Sequence, residues 1–263
     1  MILGIDAGNY YTKVASHNKV FKFPSNIGEY REMNLEVNHG EYDMVVEYKN
    51  QRYFAGTLAK YESEFGSTMF GDSKAHLDGK LRVLIATYLT CNDNSRVQIV
   101  TGQPIGKHRE KTKIKRMLEG MHTLTVNGIT KRFTIDRVEV APEGAGAFWA
   151  FKQQGKIRIL DIGSGTINCA TIIDGRYVDK DSFTLPFGAN TTNSTHEQFA
   201  KGIQRAISRK WTDDVPIYLI GGIATLIEPY LNAKLLPIKY HPTFANALGF
   251  YQLGVTVFFQ PIK

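Results

Sequence analysis

The chain has 263 residues with a formal net charge of +7, 43% apolar and 22% charged residues. That is enough chain for one large domain or two modest lobes with proper cores, and the balance is that of a globular protein rather than a disordered one. No apolar run approaches the roughly 20 residues of a membrane helix, and two cysteines, Cys91 and Cys169, exclude a disulfide framework and fit a reducing cytoplasm.

Residues 1–7 read as a strand. Asp6 follows almost at once and no basic stretch precedes it, so neither a signal peptide nor an N-terminal anchor is expected. A turn comes next, then a return strand at 13–16. Residues 17–75 read as a small insert, with alternating stretches at 44–48 and 52–55 joined by a hairpin turn. Apolar residues at Leu77, Leu81, Leu84, Ile85, Tyr88 and Leu89 predict a helix over 76–90. Residues 96–101 read as a strand and 107–116 as a charged helix. A hairpin turns at Asn127-Gly128, between 123–126 and 131–134. A further strand at 136–141 breaks at Pro142-Glu-Gly-Ala-Gly146 and enters a helix through Phe151. The pattern then restarts: strand 157–160, turn 161–166, strand 168–173, a turn at Asp174-Gly175 and strand 176–179. A helix over 195–211, a strand at 215–220, a turn at 221–225 into another helix, and a last helix at 244–254 complete the chain. The two similar starts suggest a diverged duplication.

Two acid-led glycine turns carry the chemistry. Asp6-Ala-Gly-Asn-Tyr-Tyr-Thr-Lys13 follows the first strand, and Asp161-Ile-Gly-Ser-Gly-Thr166 follows the strand at 157–160. Glycine lets backbone approach an oxyanion, and successive turn N–H groups cradle phosphate. The leading Asp suits the Mg²⁺ that travels with nucleotide phosphates. Each turn alone also reads as an ordinary hairpin. Two together suggest two lobes clamping one Mg-nucleotide. Glu143 reads either as a helix-start carboxylate favoured by the dipole or as a group that positions water. Lys13 is either a phosphate contact or a solvated strand end. The run Lys107, Arg109, Lys111, Lys113, Lys115, Arg116 is either a solvated face or a contact for an anionic partner. The histidines show no metal-ligand spacing. Cys169, Phe148 and Trp149 read as core.

The order of these segments resembles the actin, sugar-kinase and heat-shock-chaperone ATPase superfamily. It runs first phosphate turn, connecting helix (Pro142-Glu-Gly-Ala-Gly-Ala-Phe), second phosphate turn, adenosine turn (Ile220-Gly-Gly-Ile-Ala), last connecting helix (Asn246-Ala-Leu-Gly-Phe). Thr101-Gly-Gln-Pro-Ile and the 142–148 segment look most like the bacterial plasmid-segregation actins of the ParM type, and the length is closest to the AlfA group. The resemblance implies an α/β, duplicated ribonuclease H-like two-lobe fold with the nucleotide in the interlobe cleft. Lobe I would be 1–145, with the insert about 17–75. Lobe II would be 146–243, and 244–263 would return to lobe I. Few residues separate Phe187-Gly-Ala-Asn190 from the strand at 215, so lobe II lacks its outer subdomain.

Roles follow from the resemblance. Asp6 and Asp161 would hold Mg²⁺ through water. Gly8, Asn9, Tyr10, Thr12 and Lys13 would line the first phosphate turn, and Gly163, Ser164, Gly165 and Thr166 the second. Gly221, Gly222 and Ile223 would pass ribose and adenine. Glu143, with Asp6 and Asp161, would serve hydrolysis of ATP or GTP. The implied function is a cytoplasmic filament that segregates plasmid DNA through a DNA-binding adaptor, with no sequence-specific DNA contact and no membrane partner of its own. The alternative is a small-molecule kinase of the same superfamily, since short pantothenate kinases also open with Asp-x-Gly-Asn. A chaperone-type switch fits less well, because no substrate-binding domain follows.

Overall fold

The computed structural model describes residues 1–35, 40–66 and 73–259. Parts of the expected insert (36–39 and 67–72) and of the expected C-terminal segment (260–263) lie outside these residues. In chain order, β1 (Ile2–Ala7) and β2 (Tyr11–Ala15) form a hairpin, followed by β3 (Val20–Pro24) and β4 (Ile27–Glu29). The hairpin β5 (Asp43–Tyr48) and β6 (Gln51–Gly56) leads into α1 (Thr57–Glu62), then α2 (Leu77–Thr90) and β7 (Ser95–Gln103). A 3-10 turn, Ile105–Glu110, enters α3 (Lys111–Leu118), followed by β8 (Gly120–Val126) and β9 (Ile129–Pro142). A 3-10 turn at Ala145–Ala147 and the short α4 (Phe148–Phe151) cross to β10 (Lys156–Ile162), β11 (Ile167–Ile173), β12 (Arg176–Tyr177) and β13 (Phe183–Leu185). Then come α5 (His196–Ile207), β14 (Ile217–Gly221), α6 (Ala224–Ile227) and α7 (Ala245–Phe258).

Among the described residues the strands make two sheets. The first runs β3-β2-β1-β7-β9-β8-β5-β6-β4, and the second β12-β11-β10-β14 with β13 also on β11. The same unit occurs in both. β1 is antiparallel to β2 and parallel to β7, as β10 is antiparallel to β11 and parallel to β14. The registers correspond too: Asp6 faces Lys13 and Asp161 faces Asn168. That repetition is the duplication suggested by the two similar starts. Parallel strands direct their carboxyl ends to one side, where α/β folds place ligands.

Packing explains the helices. Leu81, Leu84 and Ile85 of α2 are fully buried beneath the first sheet. Phe199, Ala200, Ile203 and Ile207 of α5 recur at helical spacing and bury against the second sheet, which is the apolar stripe of an amphipathic helix. Thr195 and Gln198 close a capping box at its start, satisfying two otherwise orphaned backbone donors. α7 is apolar on most sides because it is covered on more than one of them, packing on β1 and β7 and against α4 and the 3-10 turn at Ala145–Ala147. Its Gly249 permits this: a Cβ there would lie 2.3 Å from the Gly146 carbonyl oxygen.

Several local expectations change. The 107–116 helix is a 3-10 turn followed by α3. The tight turn closes with the Lys107 N–H on the Pro104 carbonyl, and His108 bonds the Val140 carbonyl at 3.0 Å. Strands 131–134 and 136–141 are one strand, β9, whose pairing with β7 shifts between Val97 and Gln98 to absorb Asp136, as a β-bulge does. The 176–179 strand stops after Tyr177, where a 3-10 turn at Asp179–Asp181 takes over. The helix through Phe151 is one turn long, ended by left-handed Lys152 (φ 47°). α5 stops at Ile207, and α7 runs on to Phe258. β3, which extends the first sheet from β2 within the expected insert, and β4, α1 and β13 were not foreseen. Between β13 and β14 the only helix among the described residues is α5, so lobe II carries no outer subdomain.

Candidate functional site

A cleft of about 350 Å³ opens where the ends of β1, β9, β10 and β14 meet. It is lined from the first sheet by Asp6, Gly8, Asn9, Tyr10, Lys13 and Glu143, and from the second by Asp161, Gly163, Ser164, Gly165, Thr166, Gly221, Gly222 and Ile223. The structure therefore brings together every candidate residue except Thr12. Side chains alternate along a strand, and Thr12 points away from Lys13. It is fully buried, with its hydroxyl 2.8 Å from Ser25 Oγ.

The first turn is closed by charge. Lys13 Nζ donates to Asp6 Oδ2 at 3.0 Å, across the hairpin register that pairs the two residues. The second turn is braced from behind. The N–H groups of Ala189 and Asn190 donate to the carbonyls of Gly163 and Ser164 at 2.9 and 2.8 Å. Gly221, at φ 113°, leaves β14 so close to β10 that a Cβ would lie 2.2 Å from the Ile162 carbonyl oxygen. Only glycine passes there without strain.

Glu143 sits at the end of β9, its N–H on the Gln103 carbonyl at 2.9 Å. One carboxylate oxygen accepts from Asn168 Nδ2 at 3.2 Å, and the other contacts the Lys74 ammonium. Lys74 also reaches Asp6 Oδ1 at 3.5 Å. Asn246, at the start of α7, donates to Asp161 Oδ2 at 2.8 Å and accepts the Gly144 N–H at 3.1 Å. Arg82, buried in α2, bonds the Ser25 carbonyl at 2.8 Å and reaches Asn9 Oδ1 at 3.4 Å, so it orients the first turn.

Asp6, Glu143 and Asp161 are all buried. Burial alone would push Asp6 up, but Lys13 and Lys74 outweigh it and hold the carboxyl below its usual value. Burial would lower Lys74, yet Glu143 and Asp6 together raise it. Among the described residues no ammonium pairs directly with Asp161, and Lys13 opposes its upward shift only weakly. Burial, with Glu143 and Asp6 close by, pushes it up to about 7. The crowding of Asp161 by Glu143 and Asp6 would be relieved by a divalent cation among the carboxylates. Among the described residues no group of His, Cys, Asp and Glu could by itself cage a metal. A cation at Asp6 and Asp161 would therefore keep much of its water, as Mg²⁺ does.

Lys74, Asn168, Asn246 and Arg82 were not among the candidates. Asn168 and Arg82 stand in otherwise apolar runs, and a buried polar residue is a usable signal. Asn246 opens the last connecting-helix motif. Nothing in the sequence around Lys74 marks it.

No curated protein matches the chain in sequence. A family model described as the actin-like proteins N-terminal domain matches residues 4–146, more than half of the chain. An AlfA filament bound to AMPPNP is 25% identical with a TM-score of 0.79, over 98% of each chain. AlfA from B. subtilis plasmid pLS32, also as a filament, is 24% identical with a TM-score of 0.74, over 94% of this chain and 97% of that one. The archaeal actin homologue Ta0583 is 22% identical with a TM-score of 0.80, over 97% and 99%. The repeated strand unit, the cleft between its two copies and the family match lead to one conclusion: the chain belongs to the actin-like proteins and has the build of the ParM and AlfA type.

Proposed function

We propose that this protein is an ATPase that polymerises with nucleotide and segregates plasmid DNA through a DNA-binding adaptor. The observation that carries the reading is the facing pair of phosphate turns with three buried carboxylates between them. The AlfA filaments, one with AMPPNP and one from a plasmid, support it. The two turns hold phosphate by backbone N–H groups, with Lys13 beside the first. Asp6 and Asp161 would hold Mg²⁺, and Glu143, fixed by Asn168, would orient the attacking water. Bound Mg²⁺ supplies charge neutralisation at the phosphates.

Gly221, Gly222 and Ile223 form the base side of the cleft. With no outer subdomain over the purine, few buried polar groups penalise the wrong base, and strong discrimination depends on such groups. GTP therefore supports assembly within about tenfold of ATP.

The deciding experiment is sedimentation and light scattering at tens of micromolar protein with Mg-ATP, Mg-GTP or AMPPNP. A filament former pellets above a critical concentration. A protein that binds nucleotide yet stays monomeric, and phosphorylates a small hydroxyl acceptor, is instead the kinase alternative.

A further inference from the structure

Lys74 lines the cleft from outside both phosphate turns. It lies just before α2, and its side chain is only 10% exposed. Its backbone is clamped rather than loose. The Lys74 N–H donates to Gln103 Oε1 at 3.0 Å, and Gln103 Nε2 donates to Ser73 Oγ at 3.0 Å. Ser73 Oγ donates to Glu110 at 2.6 Å and accepts the Ala75 N–H at 3.1 Å. A fixed backbone thus carries a long side chain with rotatable bonds into the space between Asp6 and Glu143.

That position is a conflict for the proposed chemistry. A Glu143 carboxylate paired to an ammonium is a poor acceptor for water, and an ammonium on Asp6 opposes a cation there. The conflict at Glu143 disappears if the lysine leaves it when the cleft fills, and Asp6 keeps Lys13 as its one close ammonium among the described residues. The ammonium needs a new anion within reach, and the cleft-filling ligand brings one.

We propose that Lys74, which contacts Asp6 and Glu143, is a terminal-phosphate ligand, and that its transfer to the last phosphate of a nucleoside triphosphate releases Glu143 for water. The inference rests on the nucleotide reading of the cleft. A diphosphate leaves Lys74 on Glu143, so the residue distinguishes triphosphate from diphosphate. A lysine that merely neutralises buried carboxylates makes no such distinction.

The test is competition binding of ADP and AMPPNP, each with Mg²⁺, to the full chain and to Lys74→Met, with folding checked by circular dichroism. AMPPNP affinity should fall at least about tenfold relative to ADP affinity. Equal changes for the two nucleotides overturn the proposal and leave Lys74 a counter-ion. Removing one partner of a buried pair can unfold a protein, while removing both is far milder. If Lys74→Met does not fold, the charge-balanced Lys74→Met/Glu143→Gln protein is therefore read the same way against Glu143→Gln. Wild-type protein that binds neither nucleotide overturns the reading of the cleft itself, and this inference with it. Wild-type protein that binds ADP while the variant loses only the ratio supports both.

Discussion

The side-chain amide of Asn246 donates to the Asp161 carboxylate at 2.8 Å. Its oxygen accepts the backbone N–H of Gly144 at 3.1 Å. One side chain from the last helix thus fixes a carboxylate of the second sheet and the backbone next to Glu143 at the end of the first. Asn246→Ala leaves the buried Gly144 N–H without a partner and removes the donor that favours ionised Asp161. Stability should drop by about 1–3 kcal/mol, read as a lower urea midpoint with an unchanged slope. An unchanged midpoint would show that water replaces the amide at no cost.

Binding and chemistry should separate at Glu143. Glu143→Ala should still bind nucleotide and assemble. Phosphate release should slow at least about tenfold, a loss of roughly 1.4 kcal/mol of transition-state stabilisation. Asp161→Ala should instead weaken Mg-nucleotide binding and assembly together. Full phosphate release by the Glu143 variant would remove it from the hydrolytic role.

Gly249 inverts a general rule. Gly to Ala in a helix interior normally stabilises by up to about 1 kcal/mol. Here a Cβ would stand 2.3 Å from the Gly146 carbonyl oxygen and 2.7 Å from Ala147 Cα. Both obstacles are backbone and cannot swing aside. Gly249→Ala should therefore destabilise by about 1–3 kcal/mol, whereas Gly202→Ala, in α5 with open space around it, should stabilise slightly. Thermal melts of the two variants side by side decide it.

His122 should make stability fall with acid. Its ring lies between Tyr48 and Phe133, and its Nε2 bonds the Leu118 carbonyl at 2.7 Å. Burial depresses its pKa, with Lys80 and Lys49 adding to the effect and the Leu118 bond opposing it. Above the unfolded value of about 6.5 the ring is neutral in both states and stability is full. As the pH falls below that, the unfolded chain takes up the proton first and stability is lost down to the folded value. Between pH 7.5 and 5, melting temperature should drop more for wild type than for His122→Gln. Parallel curves would assign the acid sensitivity to other groups.

The basic run divides into two parts. Ile114 and Leu118 bury against the first sheet, and Lys115 pairs with Glu139 at 2.6 Å. Lys107, Arg109, Lys111, Lys113 and Arg116 face solvent. In a filament these charges recur along the polymer, so an anionic partner could bridge many copies. Replacing Lys111, Lys113 and Arg116 by Ala should reduce bundling or adaptor binding and flatten its salt dependence, because exposed charges are screened over about 8–10 Å. Single-filament assembly should stay near normal. Unaltered bundling would mark the run as a solvated helix face.

Most of the cleft was legible because its signal is local. An apolar strand, an Asp and then glycines occupy a few consecutive residues at 2–9 and again at 157–165, and local backbone geometry suffices to read them. Thr12 lies outside the cleft because strand alternation turns its side chain to the face opposite that of Lys13. Lys74 was invisible for a different reason. It lies 68 positions from Asp6 and 69 from Glu143, and only the packing of α2 brings it to them. The 3-10 turns at 105–110 and 145–147 escaped because pieces that short show no period.

The brace on the second turn bears on the entropy of binding. Ala189 and Asn190 hold the Gly163 and Ser164 carbonyls, so that loop is shaped while the chain folds and not when an anion arrives. Ligand capture then loses little entropy to loop ordering.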